Sequence, residues 1–408
     1  MASHCQTTRP LVIGVSGPAG SGKTTLARNL ATELRVPLLD LDALTTPLLD
    51  RLHGPVFTEH WLCPPHGDAV RAARYAALRS TAADVVASAG AAVLVAPFTA
   101  ELTGGPAWQE LTAALAPAEL RMVHLRGDPE LFARRRAGRG ASRDTHRAAD
   151  PAPVRPAVPH IGIDAELTPP QQHFRVRRAL GHRTALDPGA PVFDGPFDAV
   201  LFDVDGVLAD STGSVLRCWE RLARDFGIPP ATVARNHGRP ARALIEQVLP
   251  GDQAAAGMRH IERLEVDDAP AVSEIPGART LLDSLPAARH ALVTSGTPAI
   301  ARARLDAVGI TPPPVFVTAD DVHTGKPDPE PYLLAARRLG VPPERCLVVE
   351  DAPAGVAAAR AAGCAVIGVL GTVAPGELAA ADLLVDGLDR LTASVDDAGV
   401  HLAAPEAG

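Results

Sequence analysis

Aromatic side chains are scarce, at 3% of the 408 residues against 46% hydrophobic overall, so packing must rest on aliphatic side chains. Cysteine is sparse too. Cys5, Cys63, Cys218, Cys346 and Cys364 show no CxxC spacing, which argues against a zinc site or a disulfide framework. No run is long and apolar enough to span a bilayer. The start, MASHCQTTRP, lacks an apolar stretch behind a basic residue, so no membrane partner and a reducing cytoplasm are expected. The net charge, 39 − 47 = −8, favours neither nucleic acid nor an anionic membrane. One basic stretch, Arg134–Arg147, stands apart, and no aromatic interleaves its arginines to stack bases.

The chain is too long for one ordinary core. Two rounds of alternating strand-like and helix-like segments appear. The first has strands at Leu11–Val15, Val36–Leu39, Ala92–Ala96, Arg121–Leu125 and Val158–Ile163. The second has Ala199–Phe202, His290–Val293, Val315–Val317, Cys346–Val349, Ala365–Val369 and Leu383–Val385. Strands alternating with helices imply parallel sheets with crossovers. The expectation is an α/β chain of two domains, each a three-layer parallel-sheet fold. They span residues 9–182 and 197–392, joined by a Pro/Gly-rich linker at 183–196 and followed by a loose tail at 393–408. Between the second round's first two strands lie about ninety residues, far beyond a normal crossover. A helical insert at about 212–275 is therefore predicted.

In the first half, Gly17-Pro-Ala-Gly20-Ser21-Gly22-Lys23-Thr24 fits GxxxxGK[ST], follows an apolar strand and opens a helix. Glycines there let backbone N–H groups ring a phosphate chain, and the helix N-terminus favours negative charge. Gly17, Gly20, Ser21, Gly22, Lys23, Thr24 and Thr25 are the predicted ATP-binding residues, with the Thr24 hydroxyl available to Mg²⁺. The second strand ends in an Asp40-Leu-Asp42 pair, and an Arg-rich segment that includes Arg135 and Arg139 follows the fourth strand. Together these features resemble small-molecule P-loop kinases of the gluconate kinase and adenylylsulfate kinase sort over residues 9–182. The resemblance implies that Asp42 accepts the acceptor hydroxyl's proton and that Arg135 and Arg139 clamp the transferring phosphoryl group. A solvated loop acid and a solvated basic face are the competing readings. The third strand ends without an acidic residue of Walker B type, so metal support would fall to Thr24 and the Asp40/Asp42 region.

In the second half, four fragments stand in order: Asp203-Val-Asp205-Gly206, Thr294-Ser295-Gly296, Gly325-Lys326-Pro327-Asp328, and Glu350-Asp351. Three of them end predicted strands, where sites form in open parallel sheets. They resemble the haloacid dehalogenase superfamily over residues 197–392. The resemblance implies that Asp203 is a phosphoryl-accepting nucleophile and Asp205 a general acid/base whose main-chain carbonyl meets a metal. It also implies that Thr294, Ser295 and Gly296 hold phosphoryl oxygens, that Lys326 is the compensating cation, and that Glu350 and Asp351 complete the metal site. Crowded acids facing a phosphate dianion demand a hard dication, and Mg²⁺ suits oxygen ligands.

Within the superfamily the likeness is to sugar- and polyol-phosphate phosphatases with a helical cap. In the insert, His237 and Arg239 resemble their HGR segment, placed to reach a phosphorylated small-molecule substrate. A phosphomutase is the alternative, but Thr297-Pro298 replaces the Lys-Asn that mutases usually show there. The insert has no lysine, which excludes Schiff-base chemistry in it. The two halves could carry two activities, or the P-loop half could be a nucleotide-sensing module for the phosphatase. Oligomeric state is not legible.

Overall fold

The structure, a computed structural model, describes residues 10–138, 154–229, 232 and 241–405. It falls into two compact units, Met1–Leu180 and Gly181–Gly408.

The N-terminal unit runs β1 (Leu11–Ser16), α1 (Lys23–Leu34), β2 (Leu38–Asp40), α2 (Leu41–Leu52), α3 (Gly67–Ala89), β3 (Ala91–Val95), α4 (Pro106–Leu115), β4 (Glu119–Arg126), α5 (Pro129–Ala137), β5 (His160–Asp164) and α6 (Pro169–Ala179). Its five strands lie in the order β2-β3-β1-β4-β5, all parallel. Central strands covered on both faces must be apolar nearly throughout. Val12, Ile13 and Val15 of β1 and Val93, Leu94 and Val95 of β3 are accordingly buried.

The C-terminal unit begins with β6 (Ala199–Phe202) and β7 (Ala209–Asp210). Then come α7 (Thr212–Asp225), α8 (Ala241–Val248), α9 (Gly251–Asp268) and β8 (Ser273–Glu274). The core resumes with α10 (Ala278–Asp283), β9 (His290–Val293), α11 (Pro298–Ala307), β10 (Phe316–Val317), α12 (Glu330–Leu339), β11 (Cys346–Glu350), α13 (Pro353–Ala361), β12 (Ala365–Val369) and β13 (Leu383–Val385). The six-stranded sheet has the order β10-β9-β6-β11-β12-β13, again parallel. The insert packs around its own small core, which includes Cys218, Trp219, Leu222, Ile245 and Ile261. The antiparallel pair β7–β8 joins it to the sheet-bearing part. The α/β class and the parallel sheets are as the sequence predicts.

Two expectations need correction. The segment from residue 393 is not loose as far as Ala403. It forms an antiparallel hairpin, β14 (Thr392–Asp396) with β15 (Gly399–Ala403). Val400 and Leu402 are buried in the main core, and each such side chain contributes roughly 1.5–3 kcal/mol on burial. Val400 also exchanges backbone hydrogen bonds with Phe197. Nor does the Pro/Gly-rich stretch at 183–196 hang free. Arg183 pairs with Asp389 and with the buried Asp386, which also accepts the Thr184 N–H at 2.6 Å. Ala190 and Val192 enter the same core. Turn-forming composition marked the absence of α-helix and strand here, and did not exclude burial.

Among the described residues no cysteine is in a disulfide, and no helix is long and apolar enough to cross a membrane.

Candidate active sites

In the C-terminal sheet, β6 lies between β9 and β11. The residues that follow these three strands are Asp203, Thr294 and Asp351, with Glu350 closing β11. Adjacent parallel strands end side by side, so the fold brings together groups far apart in sequence. Lys326 arrives from the loop before α12 and donates to Asp203, to Glu350 at 2.7 Å and to the Val293 carbonyl at 3.1 Å. Glu350 is saturated with donors. It also accepts from the Tyr332 hydroxyl at 2.8 Å and from the N–H groups of Asp351 and Ala352 at 2.8 and 3.1 Å. Thr294 is buried, with its hydroxyl accepting the Gly296 N–H at 3.0 Å. Gly206 turns the chain back, its N–H bonded to the Ala209 carbonyl at 2.7 Å. With φ at 75°, any Cβ there would lie 1.7 Å from an Asp351 oxygen, so both backbone and space require glycine.

Asp203, Glu350 and Asp351 offer oxygens all within 4.8 Å of one another. At an effective dielectric near 20, two full charges at that distance repel by about 3.5 kcal/mol. One ammonium faces three carboxylates. Burial pushes the Asp203 carboxyl up to about 8, with Lys326 opposing and Glu350 adding to the rise. Burial and then the Glu350 and Asp203 charges push Asp351 well above the carboxylate range. A buried site with surplus negative charge and hard oxygen donors fits a hard divalent cation.

The ammonium is structural as well as electrostatic. Lys326→Met should cost about 3–5 kcal/mol, since it leaves buried carboxylates uncompensated. Urea denaturation in the absence of metal measures this, and a loss under about 1 kcal/mol would show that the pairs hold nothing together.

Above these groups lies a cavity of about 210 Å³. Its floor includes Asp203, Asp205, Ser295, Gly296 and Lys326, and its wall includes Val215, Trp219, Met258 and Ile261 of the insert. Asp205 accepts from Ser211 and from Arg304, each at 2.6 Å. Arg304 also donates to Glu265 of α9 at 2.8 Å. Burial pushes the Glu265 carboxyl up, with Arg304 opposing the rise. His237 and Arg239 lie outside the described residues.

In the N-terminal unit the loop after β1 carries Gly17, Gly20, Ser21 and Gly22 into α1, which starts at Lys23. Gly20 has φ of 90°, and a Cβ there would lie 2.5 Å from the Phe132 carbonyl oxygen of α5. Ser21 is fully buried, and its hydroxyl finds no partner among the described residues. Lys23 is half-buried and donates to the Pro18 carbonyl at 3.2 Å, while Thr25 is exposed. Thr24 donates to Asp40 at 3.2 Å, and Asp40 also caps α2. Asp42 is paired with Arg74 at 2.6 Å. Thus Asp40 stands against the loop, and Asp42 stands against α3. Arg135 donates to the Ala165 carbonyl, and it is Arg136 that reaches the loop, at the Ala19 carbonyl, 2.9 Å away. Arg139 lies outside the described residues.

Sequence reasoning missed Arg304, Glu265, Ser211 and Tyr332. A signal existed for the first. On α11 the buried positions are Ile300, Ala301, Arg304 and Leu305, so an arginine occupies the inward stripe of an amphipathic helix. A second signal went unused. The chain has only two lysines among its 39 basic residues, Lys23 and Lys326, one in each site.

The model of the haloacid dehalogenase-like hydrolases matches residues 197–363, and a model described as an AAA domain (AAA_33) matches residues 12–154. Hexitol phosphatase A of Escherichia coli is 41% identical over 198 residues, 47% of this chain and 92% of that protein. Glycerol-1-phosphate phosphohydrolase 2 of Saccharomyces cerevisiae is 35% identical over 191 residues, 43% of this chain and 75% of that one. Validoxylamine A 7'-phosphate phosphatase of Streptomyces hygroscopicus subsp. limoneus is 37% identical over 209 residues, 48% and 96% of the respective chains.

Proposed function

Because the chain belongs to the haloacid dehalogenase-like hydrolases through its C-terminal unit and carries an AAA domain in its N-terminal unit, we propose that it hydrolyses a sugar or polyol phosphate through a phosphoaspartate and transfers phosphate from ATP to a small alcohol. The observation that carries the first part is Asp203, buried at the floor of the cavity between Lys326 and the acids that follow β11.

In the first half-reaction an Asp203 oxygen bonds to phosphorus and the bond from phosphorus to the substrate oxygen breaks. Asp205 gives that oxygen its proton, so a neutral alcohol leaves. In the second, water attacks the same phosphorus, Asp205 takes a proton from the water, and the bond to Asp203 breaks. Inorganic phosphate and free Asp203 result. Lys326 holds Asp203 in place, and the Ser295 and Gly296 backbone lines the space for phosphoryl oxygens. Asp203, Asp351 and the Asp205 carbonyl would hold Mg²⁺, joined by Glu350 where it gives up one of its donors, and the ion when bound supplies positive charge against the phosphate. Several features support a small polyol-like leaving group: a cavity of about 210 Å³, a wall that mixes aliphatic side chains with carboxylates, and relatives named for hexitol and glycerol phosphates. Hydrolysis rather than mutase chemistry is supported by Thr297, whose side chain caps α11. A phosphate-release screen across phosphorylated sugars and polyols tests the reading. No release above the rate without enzyme would end it.

In the N-terminal unit, Lys23 would meet the β- and γ-phosphates, and Thr24 with Asp40 would hold their Mg²⁺. Asp42 remains the proposed acceptor of the alcohol's proton, which requires it to part from Arg74. Arg135 and Arg139 remain the proposed clamp on the transferring phosphoryl group, with Arg136 beside the loop. Lys23→Ala should lower acceptor-stimulated ATP consumption at least about a hundredfold, the scale of one lost electrostatic stabiliser, and leave phosphate-monoester hydrolysis unchanged. Coupled ADP assays with sugars and polyols measure it. ATP binding with no acceptor-stimulated turnover in the unaltered chain would replace the kinase by a nucleotide-sensing module.

A further inference from the structure

Arg304 is 3% exposed and spans two structural parts of the C-terminal unit. It belongs to α11, which follows the sheet strand β9. One terminal nitrogen donates to Asp205 at 2.6 Å, the other to Glu265 of the insert's α9 at 2.8 Å, and its Nε has no partner among the described residues. The other inward positions of α11 are Ile300, Ala301 and Leu305, so packing alone would be met by an aliphatic residue at 304. A buried arginine with an unused donor is expensive unless its placement does something.

The geometry at Asp205 indicates what. Both the Ser211 and the Arg304 bonds fall on Oδ1. Oδ2 carries no hydrogen bond among the described residues, and the side chain lines the cavity beside Asp203. We infer that Arg304 is a positioning residue: it fixes Asp205 by one oxygen so that the other does the proton transfers, and it is itself seated by Glu265 of the insert. The insert therefore does more than cover the cavity. When it is in place, it orients the acid/base through Arg304. This rests on the phosphatase reading above.

The test uses the full chain and p-nitrophenyl phosphate with Mg²⁺. Its leaving group departs without protonation, so phosphorylation of Asp203 needs little from Asp205. The attack of water on the phosphoenzyme still needs a base. Arg304→Met should therefore keep a rapid burst approaching one p-nitrophenolate per chain, accumulate phosphoenzyme, and turn over about 10- to 100-fold more slowly in steady state. A merely structural role would lower burst rate and turnover by one common factor, and that result overturns the inference. Glu265→Gln keeps the arginine and takes the charge from its seat, leaving a weaker neutral acceptor. It should accumulate phosphoenzyme in the same direction with a loss of about 3- to 10-fold, and the double variant should be no slower than Arg304→Met alone. Losses that simply multiply, or a Glu265→Gln enzyme without phosphoenzyme, overturn the link to the insert, including where Arg304→Met does not fold. An unaltered chain that releases no p-nitrophenolate defeats the phosphatase reading itself.

Discussion

Asp203→Asn should abolish phosphate release from every phosphomonoester, by at least about a thousandfold. The amide has the carboxylate's shape and can still accept from Lys326, but it is too weak a nucleophile to take a phosphoryl group. The substitution also replaces an acid that burial and its neighbours make costly to ionise in the metal-free site, among three acids whose oxygens lie within 4.8 Å of one another. The metal-free variant should therefore unfold at a temperature no lower than the unaltered chain does. Lost activity with retained or raised stability separates a missing nucleophile from a damaged fold. Steady-state release assays beside thermal denaturation give both readouts. A rate within about tenfold of the original would remove Asp203 from the mechanism.

EDTA should bring phosphate release to background and Mg²⁺ should restore it, with the Mg²⁺ requirement rising as pH falls. The sign follows from the protons. Asp203 keeps its proton to about pH 8 in the metal-free site, and Asp351 is also held well above the ordinary carboxylate range. A divalent cation must displace what they hold, so its apparent affinity should weaken by up to about tenfold per pH unit for each proton displaced. The same shift acts on folding. In the unfolded chain Asp203 ionises near its ordinary value of 3.8, while in the metal-free folded chain it does so near 8. Between those values the folded state binds more protons than the unfolded one, so metal-free stability declines as pH rises. The stabilisation by Mg²⁺ should therefore widen from pH 6 to 8. Thermal melts with EDTA and with Mg²⁺ across that range check it. Full turnover in EDTA, or a gap that narrows as pH rises, would contradict the site as described.

Much of the fold was legible because parallel strands buried on both faces must be continuous apolar runs, and the runs at Ala199–Phe202, His290–Val293 and Ala365–Val369 fall on strands with those bounds. The hairpin at Thr392–Ala403 was not legible. Its alternation is short and polar at one end, and its stability comes from Val400 and Leu402 meeting a core assembled elsewhere in the chain.

The sequence by itself determined the chemical types and their order: a glycine loop with Lys23 and Thr24, an aspartate pair after a strand, a lone lysine before a proline, and an acid pair after another strand. It could do so because each residue type is dictated by local backbone or charge requirements. The two lysines mark this well, since arginine serves at the other 37 basic positions of 39 and lysine stands only in the glycine loop and before Pro327. Only the tertiary structure decided which groups touch. It set Asp40 rather than Asp42 against Thr24, Arg136 rather than Arg135 against the glycine loop, and Arg304 between Asp205 and Glu265. Those choices depend on strand order and helix rotation, which distant parts of the chain fix together and no local pattern encodes.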